Sequence, residues 1–326
     1  PAFQPGDEVF VKLHSEMDTG RAVIVEPLIQ DPEHQFSGRV KLRYHHDQTY
    51  CHVRPNRIAK VETKGTMLIC FKTESYRKLC RSQLEKQDVA IDIGCSYGKA
   101  THVMSQHCDN VLGLDISREA IVSCRRDYPH VRFEVMDCLE YPEQIATVST
   151  GVNKVFLDIG GNRERNALIR LISFVQQNIK PDVIVVKSEA LVRSAEEHTR
   201  RCQVNPDDDN IPASEKWWRQ LQEETVAKIN SKLEQRVGET GLRFPLYALK
   251  YPRKYLSNGV EICRFHNYSA CPTHENRPCD RDHEHCHYCL QPGHSSQQCT
   301  AKDPVDLGTT KVSLTEAVSA SDDKHQ

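Results

Sequence analysis

The chain has 326 residues, 27% charged and 38% hydrophobic, a length that suits about two domains. Its 43 lysines and arginines against 45 aspartates and glutamates give a formal net charge of −2. That excludes a strongly basic nucleic-acid sponge, so any RNA or DNA contact must come from local patches. No run approaches the ~20 apolar residues of a membrane helix, so no membrane span is expected, and Pro1–Phe10 lacks a basic-then-apolar leader.

Residues 1–62 hold short strand-like runs at Glu8–Lys12, Arg21–Val25, Arg39–Tyr44 and Tyr50–Val53, separated by turn residues such as Pro5-Gly6-Asp7 and Ser37-Gly38. Strands of this length and spacing indicate a small antiparallel barrel. With Pro5-Gly6-Asp7-Glu8-Val9 opening it and Arg57-Ile58 closing it, the segment resembles an SH3- or Tudor-like barrel. Such barrels hold a protein or nucleic-acid partner, or merely pack against a neighbouring domain; both roles stay open.

Residues 65–262 alternate apolar runs with helical patterns. Val89–Ile93, Val111–Asp115, Val131–Val135, Val155–Ile159 and Val183–Lys187 read as five buried strands, with a helix over Arg163–Gln177 presenting Leu168, Leu171, Ile172 and Val175 on one face. Repeated strand–helix units predict an α/β fold with a doubly wound parallel sheet. A polar insertion at about 195–240 interrupts the series, with a loop at Pro206–Asp209 and an amphipathic helix from Ser214 that carries Trp217 and Trp218. Residues 263–299 form a Cys/His block, and 300–326 read as a disordered tail poor in large apolar residues.

The strand holding Asp92 runs into Gly94-Cys95-Ser96-Tyr97-Gly98 and then a helix, a turn whose glycines let backbone approach a ligand. Asp115, 21 residues after Gly94, ends the next strand, where a carboxylate meets ribose hydroxyls; Asp137 follows the third strand, placed for an adenine amino group. On these residues 83–190 resemble the class I S-adenosylmethionine-dependent methyltransferases, with Ser96 standing where the commonest motif has its middle glycine. The resemblance implies a Rossmann-like sheet and a cofactor site built from Asp92, Gly94, Cys95, Ser96, Tyr97, Gly98, Asp115, Ile116, Asp137, Cys138 and Asp158. Two rivals remain. Gly94–Gly98 also satisfies the G-x-S-x-G pattern of a hydrolase nucleophile elbow, and a sheet of this kind can bind a nucleotide without chemistry.

After strand four the chain reads Asp158-Ile159-Gly160-Gly161-Asn162, not the Asn/Asp-Pro-Pro-aromatic turn of amino-methylating DNA enzymes. Lys78 before the first strand, Asp158, Lys187 at the end of strand five and Glu261 in a last strand follow the order of the tetrad in FtsJ-type RNA 2′-O-methyltransferases, which they resemble. The resemblance implies an RNA substrate methylated on ribose. A hydroxyl is a poor nucleophile at neutral pH, and a lysine acts on it as base only when neutral, a state that desolvation and a second cation favour. Lys187 is therefore expected as base or hydroxyl-orienting residue, Asp158 and Glu261 as its orienters, and Lys78 as its electrostatic partner. Methylation of an RNA base or of protein, and a catalytically inactive RNA-binding adaptor, are the alternatives.

Of 14 cysteines, eight lie singly between Cys51 and Cys202, whereas six fall within Cys263–Cys299 beside six of the 16 histidines. Cys286-x2-Cys289-x4-His294-x4-Cys299 has the spacing of a CCHC zinc knuckle, and Cys263-x7-Cys271-x7-Cys279-x3-His283 resembles a CCCH finger, in which His266, His274 or His285 are alternative ligands. Two zinc ions are thus expected, and zinc thiolates require a reducing, intracellular compartment. Phe265, Tyr268 and Tyr288 offer stacking faces for RNA bases. The stretch from Cys263 to Cys299 has three arginines against four acids, so the competing expectation is structural: two zincs that replace a core and pin the C-terminus. Lys250–Tyr255, which interleaves cations with tyrosines, is the expected backbone contact for RNA.

Overall fold

Alternation of apolar and polar residues gives the N-terminal segment one dry face and one wet one. The computed structural model describes residues 3–11, 20–62, 65–140, 142–159, 165–204, 211–251, 253–256, 258–271, 278–303 and 311–314. Strands β1 (Glu8–Val11), β2 (Gly20–Glu26), β3 (Val40–Tyr44), β4 (Tyr50–Val53) and β5 (Ile58–Lys60) form an antiparallel sheet in the order β4-β3-β2-β1-β5. Val9, Val11, Ala22, Ile24, Val40, Leu42 and Ile58 fill its core, and a 3-10 turn at Pro55–Arg57 leads into β5, as in the SH3-like barrel expected. Arg21 fastens the barrel to the second domain: it donates to the Leu84 carbonyl (3.1 Å) and pairs with Glu85 (3.3 Å), while Gln83 donates to the Lys60 carbonyl (2.8 Å).

The second sheet has seven strands. β6 (Thr66–Cys70) precedes helix α1 (Thr73–Ser82); then come β7 (Val89–Ile93), α2 (Lys99–Ser105), β8 (Asn110–Asp115), α3 (Arg118–Asp127), β9 (Arg132–Val135), β10 (Lys154–Leu157), α4 (Arg165–Phe174) and β11 (Val183–Lys187). Helices α5 (Glu189–Val204), α6 (Ala213–Thr240) and α7 (Arg264–Tyr268) and strand β12 (Lys311–Leu314) complete the chain. The order is β12-β6-β11-β10-β7-β8-β9 and every pairing is parallel. Side chains of each strand alternate between two cores. Leu68, Cys70, Val183 and Val185 meet Tyr76, Leu79 and Met104 on one face; Met67, Ile69, Ile184 and Val186 meet Leu168, Ile172, Trp217 and Trp218 on the other. This is the doubly wound arrangement that near-continuous apolar strands require.

Three sequence expectations change. Thr66-Met67-Leu68-Ile69-Cys70, not expected as a strand, is β6, with all five residues buried; periodicity cannot distinguish such a short apolar run from a buried helix segment. The tail is not uniformly unstructured: Lys311–Leu314 pairs in parallel with Thr66–Ile69 as the edge strand β12. And β10 ends at Leu157, two residues before the expected end, because the chain turns at Asp158 against Gly94. The loop expected at Pro206–Asp209 lies outside the described residues.

Helices α4 and α6 run antiparallel. Trp218 donates its indole N–H to Gln176 (3.1 Å), just past α4, and Gln222 donates to Ser173 (2.9 Å), so moving forward along α6 moves backward along α4. Trp218 is 1% exposed. Replacing it with alanine should cost about 3–5 kcal/mol, the usual penalty for an unfilled aromatic cavity, read as a lowered urea midpoint.

Candidate active site and metal centres

The turn after β7 is held from beneath by a buried carboxylate. Asp92 is inaccessible; Tyr76 Oη donates to its Oδ1 (2.9 Å) and Thr101 Oγ1 to its Oδ2 (2.7 Å). Burial raises its pKa from 3.8 to about 6, opposed by the two hydroxyl donors. The same burial drives the Tyr76 phenol well above its ordinary value. Asp92 thus supports the turn from below and does not face a ligand directly.

Above it, Gly94 (φ +84°) and Gly98 (φ +70°) adopt left-handed backbone, and Ser96 does so as well at φ +49°. The position where the family motif usually has glycine is therefore a left-handed one, at which serine accepts some strain. A Cβ on Gly94 would lie 2.4 Å from the Asp158 carbonyl oxygen, so only glycine lets this turn approach the end of β10. Asp115 closes the turn: its Oδ2 accepts from Ser96 N–H and its Oδ1 from Ser117 N–H, both at 2.8 Å. Each oxygen retains acceptor capacity for a ribose hydroxyl. Ile116 (52% exposed) and Tyr97 (55%) flank the carboxylate with uncovered apolar surface suited to a nucleoside. Asp137 accepts from Glu140 N–H through Oδ1 (3.0 Å), which leaves Oδ2 available, while Cys95 and Cys138 are buried beside the turn and shape it without facing solvent. These donors and acceptors fit S-adenosylmethionine. Among the described residues the Ser96 hydroxyl has no histidine partner, so the elbow chemistry of a hydrolase finds no support in the geometry.

At the same edge of the sheet, Lys187 Nζ lies 3.0 Å from both oxygens of Asp158. β10 and β11 are adjacent and in parallel register, Leu157 opposite Val186, so their C-terminal ends bring the two side chains together. Both are about one-fifth exposed. Cys70, at the end of β6, has its thiol pushed up to about 12 by burial and by Asp158.

The other two members of the expected tetrad sit elsewhere. Lys78 is exposed on α1, two residues and so about 200° around the helix from Tyr76, which faces the sheet. Glu261 is not on a strand of the sheet; it makes a single bridge to Tyr255 and pairs with Arg281 (3.4 Å), Arg253 (3.8 Å) and Arg264 (4.0 Å) beside the first cysteine cluster. Order along a chain specifies neither helix face nor sheet membership.

The Cys/His block gathers into two groups, Cys263, Cys271, Cys279 and His283, then Cys286, Cys289, His294 and Cys299, each with its ligand atoms within 4.8 Å of one another. Cys263 Sγ is 3.6 Å from Cys271 Sγ and 3.9 Å from Cys279 Sγ, and Cys289 Sγ is 3.3 Å from His294 Nε2. Four ligands about 2.3 Å from one ion in a tetrahedron stand about 3.8 Å apart, so the spacing fits zinc and exceeds a disulfide. His283 Nε2 is buried without a hydrogen-bond partner, as an unliganded metal-binding nitrogen would be. His266, considered as a substitute, stacks on the His283 ring (4.5 Å); His285 donates from Nδ1 to the Asp282 carboxylate (3.0 Å); His274 lies outside the described residues.

Asn267 joins the two groups. Its amide donates to the Cys263 and His285 carbonyls (3.1 and 3.2 Å), and its oxygen accepts from His287 N–H, Ser296 N–H and Ser296 Oγ (2.8, 2.8 and 2.9 Å). Tyr268, expected as a stacking face for a base, is 2% exposed; it stacks on Tyr251 (3.6 Å) and bonds to His287 Nδ1 (2.8 Å). Tyr288 lies under Arg243 and donates to Asp303 (3.3 Å), and Phe265 is half-buried. Within Lys250–Tyr255, Tyr251 is likewise taken up by packing, whereas Tyr255 is 54% exposed.

The raised pKa of Asp92 has a measurable consequence. A carboxyl whose folded-state pKa lies above its unfolded value stabilises the fold below the unfolded pKa and loses that contribution as pH rises through the folded one, here from 3.8 to about 6. Asp92→Asn reproduces the protonated form at every pH. The stability difference, variant minus wild type, should therefore grow between about pH 4 and 6 and be level on either side, read from urea midpoints across that range.

Residues 90–177, roughly a quarter of the chain, match a family model described as a methyltransferase domain. No curated protein sequence matches the chain. Similar solved structures include an S-adenosylmethionine-dependent methyltransferase from Anabaena variabilis (15% identity, 42% of this chain and 57% of that one, TM-score 0.28). A TehB-like S-adenosylmethionine-dependent methyltransferase from Corynebacterium glutamicum is 17% identical over 30% of this chain and 53% of that one, with TM-score 0.22. Fibrillarin from Aeropyrum pernix, solved with natively bound S-adenosyl-L-methionine, is 13% identical over 59% and 81%, with TM-score 0.30. The chain spans about half the length of the first two. The matched residues span the centre of the parallel sheet and the turn after β7, so it is this part of the chain that matches a methyltransferase domain.

Proposed function

We propose that the chain transfers a methyl group from S-adenosylmethionine to RNA, at a ribose 2′-hydroxyl, with Asp158 and Lys187 at the acceptor. The observation that carries this reading is the bidentate pair itself, Lys187 Nζ 3.0 Å from both Asp158 oxygens beside the glycine turn. S-adenosylmethionine, held by Asp115, Asp137 and the Gly94–Gly98 turn, supplies an activated methyl whose departure leaves a neutral thioether. An amine acceptor gains nothing from an ammonium beside it. A hydroxyl oxygen can accept a hydrogen bond from the third N–H of Lys187, and its proton can pass to an Asp158 oxygen as the oxygen–carbon bond forms. Lys187 is then the orienting residue and Asp158 the proton acceptor. Paired Cys/His modules of these two kinds are common among RNA-binding proteins, which supports RNA over a small hydroxyl compound. The adaptor alternative does not account for a charged pair held at the end of adjacent strands.

Lys187→Ala should lower transfer about 10²–10⁴-fold while S-adenosylmethionine affinity, measured by calorimetry, stays within a few-fold. Transfer is read as deuterium-labelled 2′-O-methylnucleosides by mass spectrometry after incubation with RNA and methyl-deuterated cofactor. Full turnover in the variant, or label found on a base, would remove the ribose mechanism.

The two Cys/His groups are proposed to hold one zinc each, with no part in the transfer step. Their fit rests on the tetrahedral spacing and on the orphaned His283 nitrogen. Native mass spectrometry should find two zinc ions per chain, and Cys289→Ser should retain one. Chelation should lower the melting temperature of the whole chain, because the block packs on α4 and α6 through Asp303, Arg170 and Asn230.

A further inference from the structure

The charges of the N-terminal barrel are sorted by sign along the chain. Residues 1–62 carry eight lysines and arginines against nine aspartates and glutamates, yet six of those cations and only one of the acids, Asp47, fall within residues 37–60, which contain β3, β4 and β5. The register gathers part of this charge on one face. Val40, Leu42 and Tyr44 fill the barrel core, so Lys41 and Arg43 stand on the other side of β3. Lys41 lies opposite His52 and Arg43 opposite Tyr50, and directly opposed residues of an antiparallel pair share a face about 5 Å apart. Lys41 Nζ also sits 5.8 Å from the centre of the Tyr50 ring.

The same face carries flat aromatic surface. Tyr50 is 60% exposed on an edge strand, and the Phe36 ring stacks on His52 at 3.8 Å and 9°. Two of the six cations are matched by acids, Lys41 by Glu26 (2.7 Å) and Lys60 by Asp7 (2.8 Å). Arg39 donates to the His52 carbonyl (3.3 Å), which orients it without cancelling its charge. The guanidinium groups of Arg43 and Arg54 have no ion pair among the described residues. The contacts that fasten the barrel to the second domain start from Arg21, in β2, and Lys60, in β5, whereas β4 closes the opposite edge of the sheet. Charge and rings together select the occupant. A cage for a methylated ammonium needs space between its rings, but Phe36 and His52 close on each other, and Lys41 and Arg43 repel a positive ligand. An acidic peptide would match the charge and leave the rings without a partner. Bases joined by phosphates match both.

We propose that the β3–β4 face of the barrel binds single-stranded RNA, with bases stacked on Tyr50 and on the Phe36–His52 pair and phosphates held by Arg43 and Arg54; this rests on the reading of the chain as an RNA methyltransferase. Leu84 and Glu85, to which Arg21 is bound, precede β7, so the barrel is fastened at the edge of the parallel sheet opposite the Asp158–Lys187 pair. The face therefore holds RNA that flanks the reacting nucleotide, and it acts on binding without entering the transfer step. A chain of net charge −2 gains phosphate contacts in this way without being basic as a whole.

The test is fluorescence polarisation of the full chain with a fluorescein-labelled 20-nucleotide single-stranded RNA, titrated at several salt concentrations. Tyr50→Ala should weaken binding about tenfold and leave the slope of log affinity against log salt unchanged, because stacking releases no counterions. The double variant Arg43→Gln, Arg54→Gln should also weaken binding and make that slope shallower by about 1.4, the share of two phosphate contacts on a single strand. Arg126→Gln, at an exposed arginine of α3, controls for loss of charge and should leave affinity and slope unchanged. Wild-type affinity in both barrel variants would overturn the proposal, as would wild-type protein that does not bind the RNA. An oligoglutamate peptide that displaces the RNA, and whose own binding is lost with the two arginines but kept in Tyr50→Ala, would assign the face to acidic peptides instead. The methyl-transfer assay separates these outcomes from failure of the functional reading. If wild type binds the RNA through the barrel yet never labels it, the face stands and the transfer reading falls. If wild type labels RNA and both barrel variants label it with unchanged KM, the transfer reading stands and the face falls.

Discussion

A single close approach organises one edge of the parallel sheet: the backbone of Gly94 lies so near the Asp158 carbonyl that a Cβ would come within 2.4 Å of it. This contact brings the turn after β7, the proposed cofactor turn, against the end of β10, where Asp158 meets Lys187. Asp92 holds the turn from below through Tyr76 and Thr101, and Asp115 holds it from the side through Ser96 N–H. Burying a carboxylate is costly, and the two hydroxyl donors only partly offset that cost, so the site sits on a local weakness that the rest of the sheet must support. The strands around it supply that support, since β6, β7, β10 and β11 bury almost every residue they contain.

The C-terminal block adds a second kind of order, one with little hydrophobic core. Asn267 is fully buried and makes five hydrogen bonds, with its amide on the first Cys/His group and its oxygen on the second. One side chain therefore ties the geometry of one cluster to that of the other. The block is bound to the sheet at Asp303, which is 5% exposed, pairs with Arg170 of α4 and accepts from Tyr288, while its N–H reaches Asn230 of α6. Of the aromatics expected to meet RNA bases, Tyr268 packs on Tyr251 and Phe244, and Tyr288 lies under Arg243. This packing gives the block a structural role beside any contact it makes with RNA.

What could be read in the sequence depended on how local its cause is. A glycine turn after an apolar strand and closely spaced cysteines and histidines are short-range patterns whose chemistry constrains spacing, and the structure gathers those residues. Lys187 and Asp158 were legible for a related reason: both end buried strands, and parallel strands in register align their ends. Lys78 and Glu261 depended on tertiary placement, which sequence order does not encode. β6 was hidden because five consecutive apolar residues carry no period, and β12 because an edge strand of four residues pairs on one side only. The contact of α4 with α6 was illegible because its bonds, Trp218 to Gln176 and Gln222 to Ser173, join residues 42 and 49 apart in sequence.

That register connects the parts of the molecule. Helix α6 belongs to the inserted segment, yet it fills the core with Trp217, Trp218 and Leu221 and receives the C-terminal block through Asn230. A shift of one helical turn along α4 would move both together. The buried polar bond of Gln222 to Ser173 opposes such a shift, because breaking it would leave two buried polar groups unpaired. The C-terminal block resists it a second time, since Asp303 is bound at once to Arg170 of α4 and to Asn230 of α6. Order in the block would thereby reach the core, by fixing how far along α4 the indole of Trp218 stands.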